Sequence, residues 1–201
     1  MVKKVLPYFV AIGASGAEGL NDIKSLLHAL PQPTPAVVLV VLHRPNDRVS
    51  ALREILASSC DMPVVVATDA GEFVPGTCYI GEPNGHLTLM VRSLARLVPG
   101  GSGNLRNRTV DMLFHSVARF AGPRMIGVIL SGSLDDGSRG LAAIHAAHGL
   151  TMVLDPGHKP RGMQQNAIDH DGPISFTGTA RQIAERIGWV LAEDRRSAPS
   201  Q

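Results

Sequence analysis

Hydrophobic positions fall into two kinds of run along this chain. Residues 5–12, 36–42 and 125–130 are apolar without alternation, and residues 151–154 form a shorter run of the same kind. Unbroken runs rich in Val, Ile and Leu predict strands buried on both faces of a parallel sheet. Between them the spacing changes to that of a helix. Ile23, Leu26, Leu27 and Leu30 share one face after the first strand, and Val110, Leu113, Val117 and Phe120 share one after Thr109. Thr109 is placed to cap that second helix. Further helices are predicted near residues 49–58, from the small residues up to His148, and near residues 179–192. Pro31, Pro33 and Pro35 end the first helix before the second strand.

The middle of the chain reads differently. Residues 62–68, 77–80 and 85–91 are short strand-like segments, with Asp69-Ala70-Gly71 as a turn between the first two. They predict a small antiparallel hairpin added to the main sheet. Residues 98–108 are rich in Gly, Asn and Arg and predict a surface loop. The expected fold class is α/β: a three-layer α/β/α domain with a mostly parallel, doubly wound sheet and a small antiparallel hairpin. Residues 1–193 are expected to form the domain, with residues 194–201 as a polar, disordered tail.

Composition narrows the function classes. A hydrophobic fraction of 44% and a charged fraction of 18% suit a globular core. Aromatics at 4% argue against base-stacking platforms, and a net charge of +2 is too small to mark a polyanion partner. No run is long enough to span a membrane and no signal-peptide pattern is present, so a cytoplasmic protein is expected. Cys60 and Cys78 lie outside any CxxC motif and read as reduced, buried thiols. His145 and His148 are three apart without an evident third ligand, so no metal is expected, and no cofactor. His86, His115, His158 and His170 read as surface or loop residues.

Three predicted strand ends carry chemistry. Ser15 follows the first strand in the turn Gly13-Ala14-Ser15-Gly16, His43 follows the second, and Asp135-Asp136 lie in the loop after residues 125–130. Open α/β sheets build their sites at the carboxyl ends of parallel strands. A serine hydroxyl is a weak nucleophile until a histidine takes its proton and a carboxylate orients that histidine. The chain order Ser, His, Asp differs from that of the α/β-hydrolases, and Ala17 stands where their G-x-S-x-G turn has its second glycine. A second use of the same turn is open. Gly13, Gly16 and Gly19 form a variant dinucleotide fingerprint, and Arg44 could meet a 2′-phosphate, which would make this an NAD(P)-binding, Rossmann-type module.

Taken together, these motifs resemble the catalytic domain of the chemotaxis methylesterase (CheB) family. Ile12-Gly13-Ala14-Ser15 is similar to that family's nucleophile turn, and His43-Arg44-Pro45 to its His-x-Pro. Residues 75–80 and 83–87 resemble its middle hairpin, and residues 109–114 its next helix start. Residues 130–140 resemble its Asp-bearing loop, and Gly162-Met163 with Ala167-Ile168 its late motif. The resemblance implies a serine esterase with Ser15 as nucleophile, His43 as base and Asp136 as orienting acid. Asp136 is favoured over Asp135 because the family's aspartate directly precedes the glycine, here Gly137. Gly16 and Ser133 are candidates for backbone oxyanion donors by position. The implied substrate is a glutamate methyl ester on a chemoreceptor or similar protein, with glutamine deamidation in some members.

Four departures from the family pattern are visible. The nucleophile turn Ser-Gly-Ala-Glu-Gly-Leu is one residue longer, Leu42 replaces a glutamine, and Gln164-Gln165-Asn166 replaces Pro-Arg-Ser. No receiver domain is expected before the catalytic domain. These departures keep open a catalytically altered member that acts as a binding or regulatory module.

Overall fold

The computed structural model describes residues 7–43, 51–81, 85–99, 108–157, 161–170 and 172–197. Among them a seven-stranded, all-parallel sheet runs in the order β3-β4-β2-β1-β7-β8-β9. Its strands are β1 (Tyr8–Ser15), β2 (Ala36–His43), β3 (Val64–Val66), β4 (Cys78–Ile80), β7 (Met125–Ile129), β8 (Leu150–Leu154) and β9 (Phe176–Gly178). The helices are α1 (Gly16–Ala29), α2 (Leu52–Ala57), α3 (Thr109–Phe120), α4 (Ser138–Ala146), α5 (Met163–Asp169) and α6 (Ala180–Ser197). A separate antiparallel pair, β5 (Gly85–Met90) and β6 (Leu94–Pro99), forms the hairpin.

Alternation along β1 and β2 assigns the two faces. Val10, Ile12, Ala14, Val38 and Val40 pack with Ile23, Leu26 and Leu27 of α1 and with Ile183 and Ile187 of α6. Phe9, Ala11, Val37 and Leu39 pack with Leu113, Phe114 and Val117 of α3, Leu141 and Ile144 of α4, and Leu87 and Leu89 of the hairpin. Both faces are covered, which is why these strands carry almost no polar residues.

Two expectations need correction. Residues 62–68 and 77–80 do not form a hairpin: β3 and β4 pair in parallel inside the main sheet. The connection between them is about as long as a parallel crossover needs. It uses that length to put Phe73 against Phe9 and Tyr79, edge to face. The hairpin is β5–β6 instead. At the other end, α6 continues through Asp194 to Ser197, and Arg124 grips the Asp194 carboxylate at 2.6 Å. Residues 100–107, Arg44-Pro45, His158 and residues 198–201 lie outside the described residues.

β1 sits at the centre of the sheet. The chain leaves it first toward β2 and later returns on its other side as β7. The carboxyl end of β1 is therefore the switch point where open α/β sheets form their crevice.

Candidate active site

Ser15 is the last residue of β1 and His43 the last of β2, and they are register partners. Neighbouring strands lie about 4.8 Å apart. Paired residues of a parallel ladder point to the same face, so strand geometry alone brings this serine and histidine together. They share the parity of Phe9, Ala11, Val37 and Leu39, which places both side chains on the face covered by α3. Ser15 has extended backbone (φ −143°, ψ 142°), and the chain turns at once into α1 through Gly16, whose φ of +71° favours glycine. Ser15 N–H donates to Ser131 O at 2.9 Å, which ties the turn to the loop after β7.

That loop carries Asp136, which is 1% exposed. His43 Nε2 lies 2.6 Å from Asp136 Oδ2. The distance is that of a charge-assisted contact, although the ring nitrogen is not aligned well enough to form a regular hydrogen bond. Hydrogen bonds in a site of this kind are often poorly aligned without substrate and tighten once it is bound. With Nε2 turned toward the acid, Nδ1 is the nitrogen left for Ser15. The same carboxylate accepts from Val110 N–H and Asp111 N–H, each at 2.9 Å.

These two donors belong to the first turn of α3, whose N–H groups have no intrahelical acceptor. The helix does not use its own cap: Arg108 precedes it with no side-chain cap bond. Thr109, expected to cap, lies inside the first turn, and its Oγ1 is 3.1 Å from His86 Nδ1. Asp136 thus caps α3 from 25 residues away in sequence, and the positive end of the helix favours its charge. Asp135 is exposed.

His86 is not a surface residue. It is 4% exposed on β5, and its Nε2 is buried without a hydrogen-bond partner. Burial holds its pKa below the ordinary histidine value. The Asp136 charge opposes that shift and the neighbouring His43 adds to it. Sequence reasoning missed this residue because the alternation Gly85-His86-Leu87-Thr88-Leu89 reads as a strand with one wet face. In the fold Thr88 is buried too.

The late motif also reaches the site. Gln164 is buried, and its Nε2 donates to Ser131 Oγ at 3.2 Å. Asn166 Nδ2 donates to Leu134 O at 2.6 Å. Leu134 has a φ of +70°, in the left-handed region. The departures Gln164 and Asn166 therefore hold the Asp136 loop from its far side. Gln165 instead donates to Asp169.

Of the three glycines whose spacing suits a dinucleotide, Gly13 and Gly19 serve close packing and Gly16 the turn. Gly13 lies within β1, and the Val110 side chain occupies the space a Cβ would need. Cys60 and Cys78 are free thiols, and burial raises the pKa of both, which keeps them in the un-ionised, poorly nucleophilic form. Among the described residues no group of three or more His, Cys, Asp or Glu could hold a metal ion. No helix among them is long and apolar enough to cross a membrane.

The model of the CheB methylesterase family matches residues 10–187. The chain belongs to that family. A protein-glutamate methylesterase/protein-glutamine glutaminase of Yersinia pestis bv. Antiqua is 37% identical over 183 residues, covering 89% of this chain and 51% of its own length. The protein of that name numbered 1 in Xanthomonas euvesicatoria pv. vesicatoria is 38% identical over 189 residues, covering 92% of this chain and 52% of its own. The chain thus spans about half the length of these curated relatives. The crystal structure of the Thermotoga maritima CheB methylesterase catalytic domain superposes with a TM-score of 0.81 at 27% identity. That match covers 91% of this chain and 98% of the other. The resemblance read from the motifs and the α/β/α fold are both borne out.

Proposed function

We propose that this CheB-family domain is a serine esterase that hydrolyses glutamate methyl esters on a chemoreceptor or similar protein in the cytoplasm. The observation that carries the reading is the 2.6 Å approach of Asp136 to His43, itself the register partner of Ser15. The names of the relatives supply the substrate class.

In this reading Ser15 Oγ attacks the ester carbonyl while His43 takes its proton. Asp136, held by two backbone donors, stabilises the imidazolium that results. The developing oxyanion is met by backbone N–H groups of Gly16 and Ser133. Gly16 opens α1, so its N–H has no intrahelical acceptor, and it is exposed beside Ser15. His43 then gives its proton to the departing methoxide, and methanol leaves. Water, deprotonated by His43, cleaves the acyl-serine and regenerates the enzyme. Attack on a glutamine carboxamide follows the same course and releases ammonia, the second activity in the relatives' names.

The test is methanol release from carboxymethylated receptor membranes by wild type and by Ser15→Ala. The expected result is release that falls by about three to six orders of magnitude in the variant. Equal release by both proteins would remove Ser15 from the mechanism, and no release by wild type would overturn the substrate assignment.

A further inference from the structure

We propose that Asp111 is a positioning residue for this reaction: its carboxylate holds the turn that follows Asp136 and so fixes the Asp136 carboxylate against His43. The proposal rests on the esterase reading above. Asp111 is 4% exposed, and among the described residues its hydrogen bonds go to Arg108, Asp136, Gly137 and Gly140, not to Ser15 or His43. Its Oδ1 accepts from Gly137 N–H at 3.1 Å and from Gly140 N–H at 2.8 Å. Its Oδ2 faces Arg108 Nη1 at 3.3 Å. A buried carboxylate is costly unless its oxygens are satisfied, and here both are.

The arrangement is reciprocal. Asp136 accepts the backbone N–H of Asp111, and Asp111 accepts the backbone N–H of Gly137, the residue directly after Asp136. Each carboxylate caps the helix next to the other: Asp136 the start of α3, Asp111 the start of α4. The loop between them has little freedom once both bonds are made. Gly137 sits at φ +98°, and a Cβ there would come within 2.7 Å of Val110 Cγ1. Val110 in turn fills the gap at Gly13, two residues before the nucleophile. The first turn of α3 therefore registers the acid against the strand that carries Ser15, and Asp111 is the side chain that closes this ring of contacts. A carboxylate needed only to cap α4 would not have to sit on the residue whose N–H binds Asp136.

Displacing a catalytic group by about 1 Å can cost 10²-fold in rate. Asp111→Ala removes the acceptor for Gly137 and Gly140. Asp111→Asn keeps one acceptor oxygen in the same place. Asp111→Glu keeps the charge but moves it by one methylene. The experiment uses the whole chain and reads the rate at which a fluorophosphonate inactivates it through Ser15, with kcat and KM for methanol release beside it. The expected result is an Ala variant about 10²-fold slower in phosphonylation and in kcat, with KM within about threefold. Asn should recover to within about tenfold of wild type and Glu should remain at least about tenfold slower than Asn. A folded Ala variant that reacts at the wild-type rate, or a loss confined to KM, overturns the proposal. If Ala does not fold, the Asn and Glu variants decide: equal rates overturn it, and the predicted gap supports it. Wild type that is phosphonylated at Ser15 yet releases no methanol removes the receptor-ester reading alone, and the labelling rates still judge Asp111. Wild type that is not phosphonylated overturns both.

Discussion

Individual residues divide into those a sequence can expose and those it cannot. The placement of Ser15, His43 and Asp136 was legible because each ends a strand or lies in the loop after one, and strand ends in a parallel sheet converge. His86 was not, because a polar residue on a short strand gives no sign of what covers its second face. Its burial has a consequence for stability. The folded protein binds a proton at His86 less readily than the unfolded chain, whose histidine titrates near about 6.5. The stability this group contributes is therefore complete above that pH and is lost as pH falls below it toward the depressed folded value. Thermal unfolding at pH 7.5 and pH 5.5 checks this. Wild type should lose more Tm on acidification than His86→Gln, which cannot titrate there, and equal losses would contradict the assignment.

Among the elements, α3 was predicted from its apolar spacing, but its use was not. Its amphipathic pattern requires only that Val110, Leu113 and Val117 face a core. Nothing in that pattern says that its first N–H groups will bind a carboxylate from another strand's loop, because the bond joins residues far apart in sequence. The misread hairpin has a related cause. Short strands with a turn between them fit antiparallel pairing locally, and only the need to cover Phe9 and Tyr79 with Phe73 shows why the chain crosses over instead. The seating of α3 gives a test at this scale. Gly13→Ala would drive a methyl group into Val110 and push the helix start away from β1. We expect a loss of about 1–3 kcal/mol in stability by urea unfolding, relieved in part by adding Val110→Ala. A double variant no more stable than Gly13→Ala would show that Val110 is not the obstacle.

Across the whole molecule, the fold was the most legible feature, because long unalternated runs joined by helices leave few alternatives to a parallel sheet with both faces covered. The site follows from that topology. β1 supplies Ser15, its neighbour on one side supplies His43, and the loop from its neighbour on the other side supplies Asp136. Three segments distant in sequence thus meet at one point, and the central claim is that they act there as one unit. The most direct measurement is kcat for receptor-ester hydrolysis by Ser15→Ala, by Asp136→Asn and by the double variant. Residues that act together have non-additive effects. The double variant should then be no slower than Ser15→Ala alone, within about threefold, since an acid that serves only the serine through His43 has nothing left to serve. If the two losses multiply, Ser15 and Asp136 contribute independently, and the unit described here does not exist.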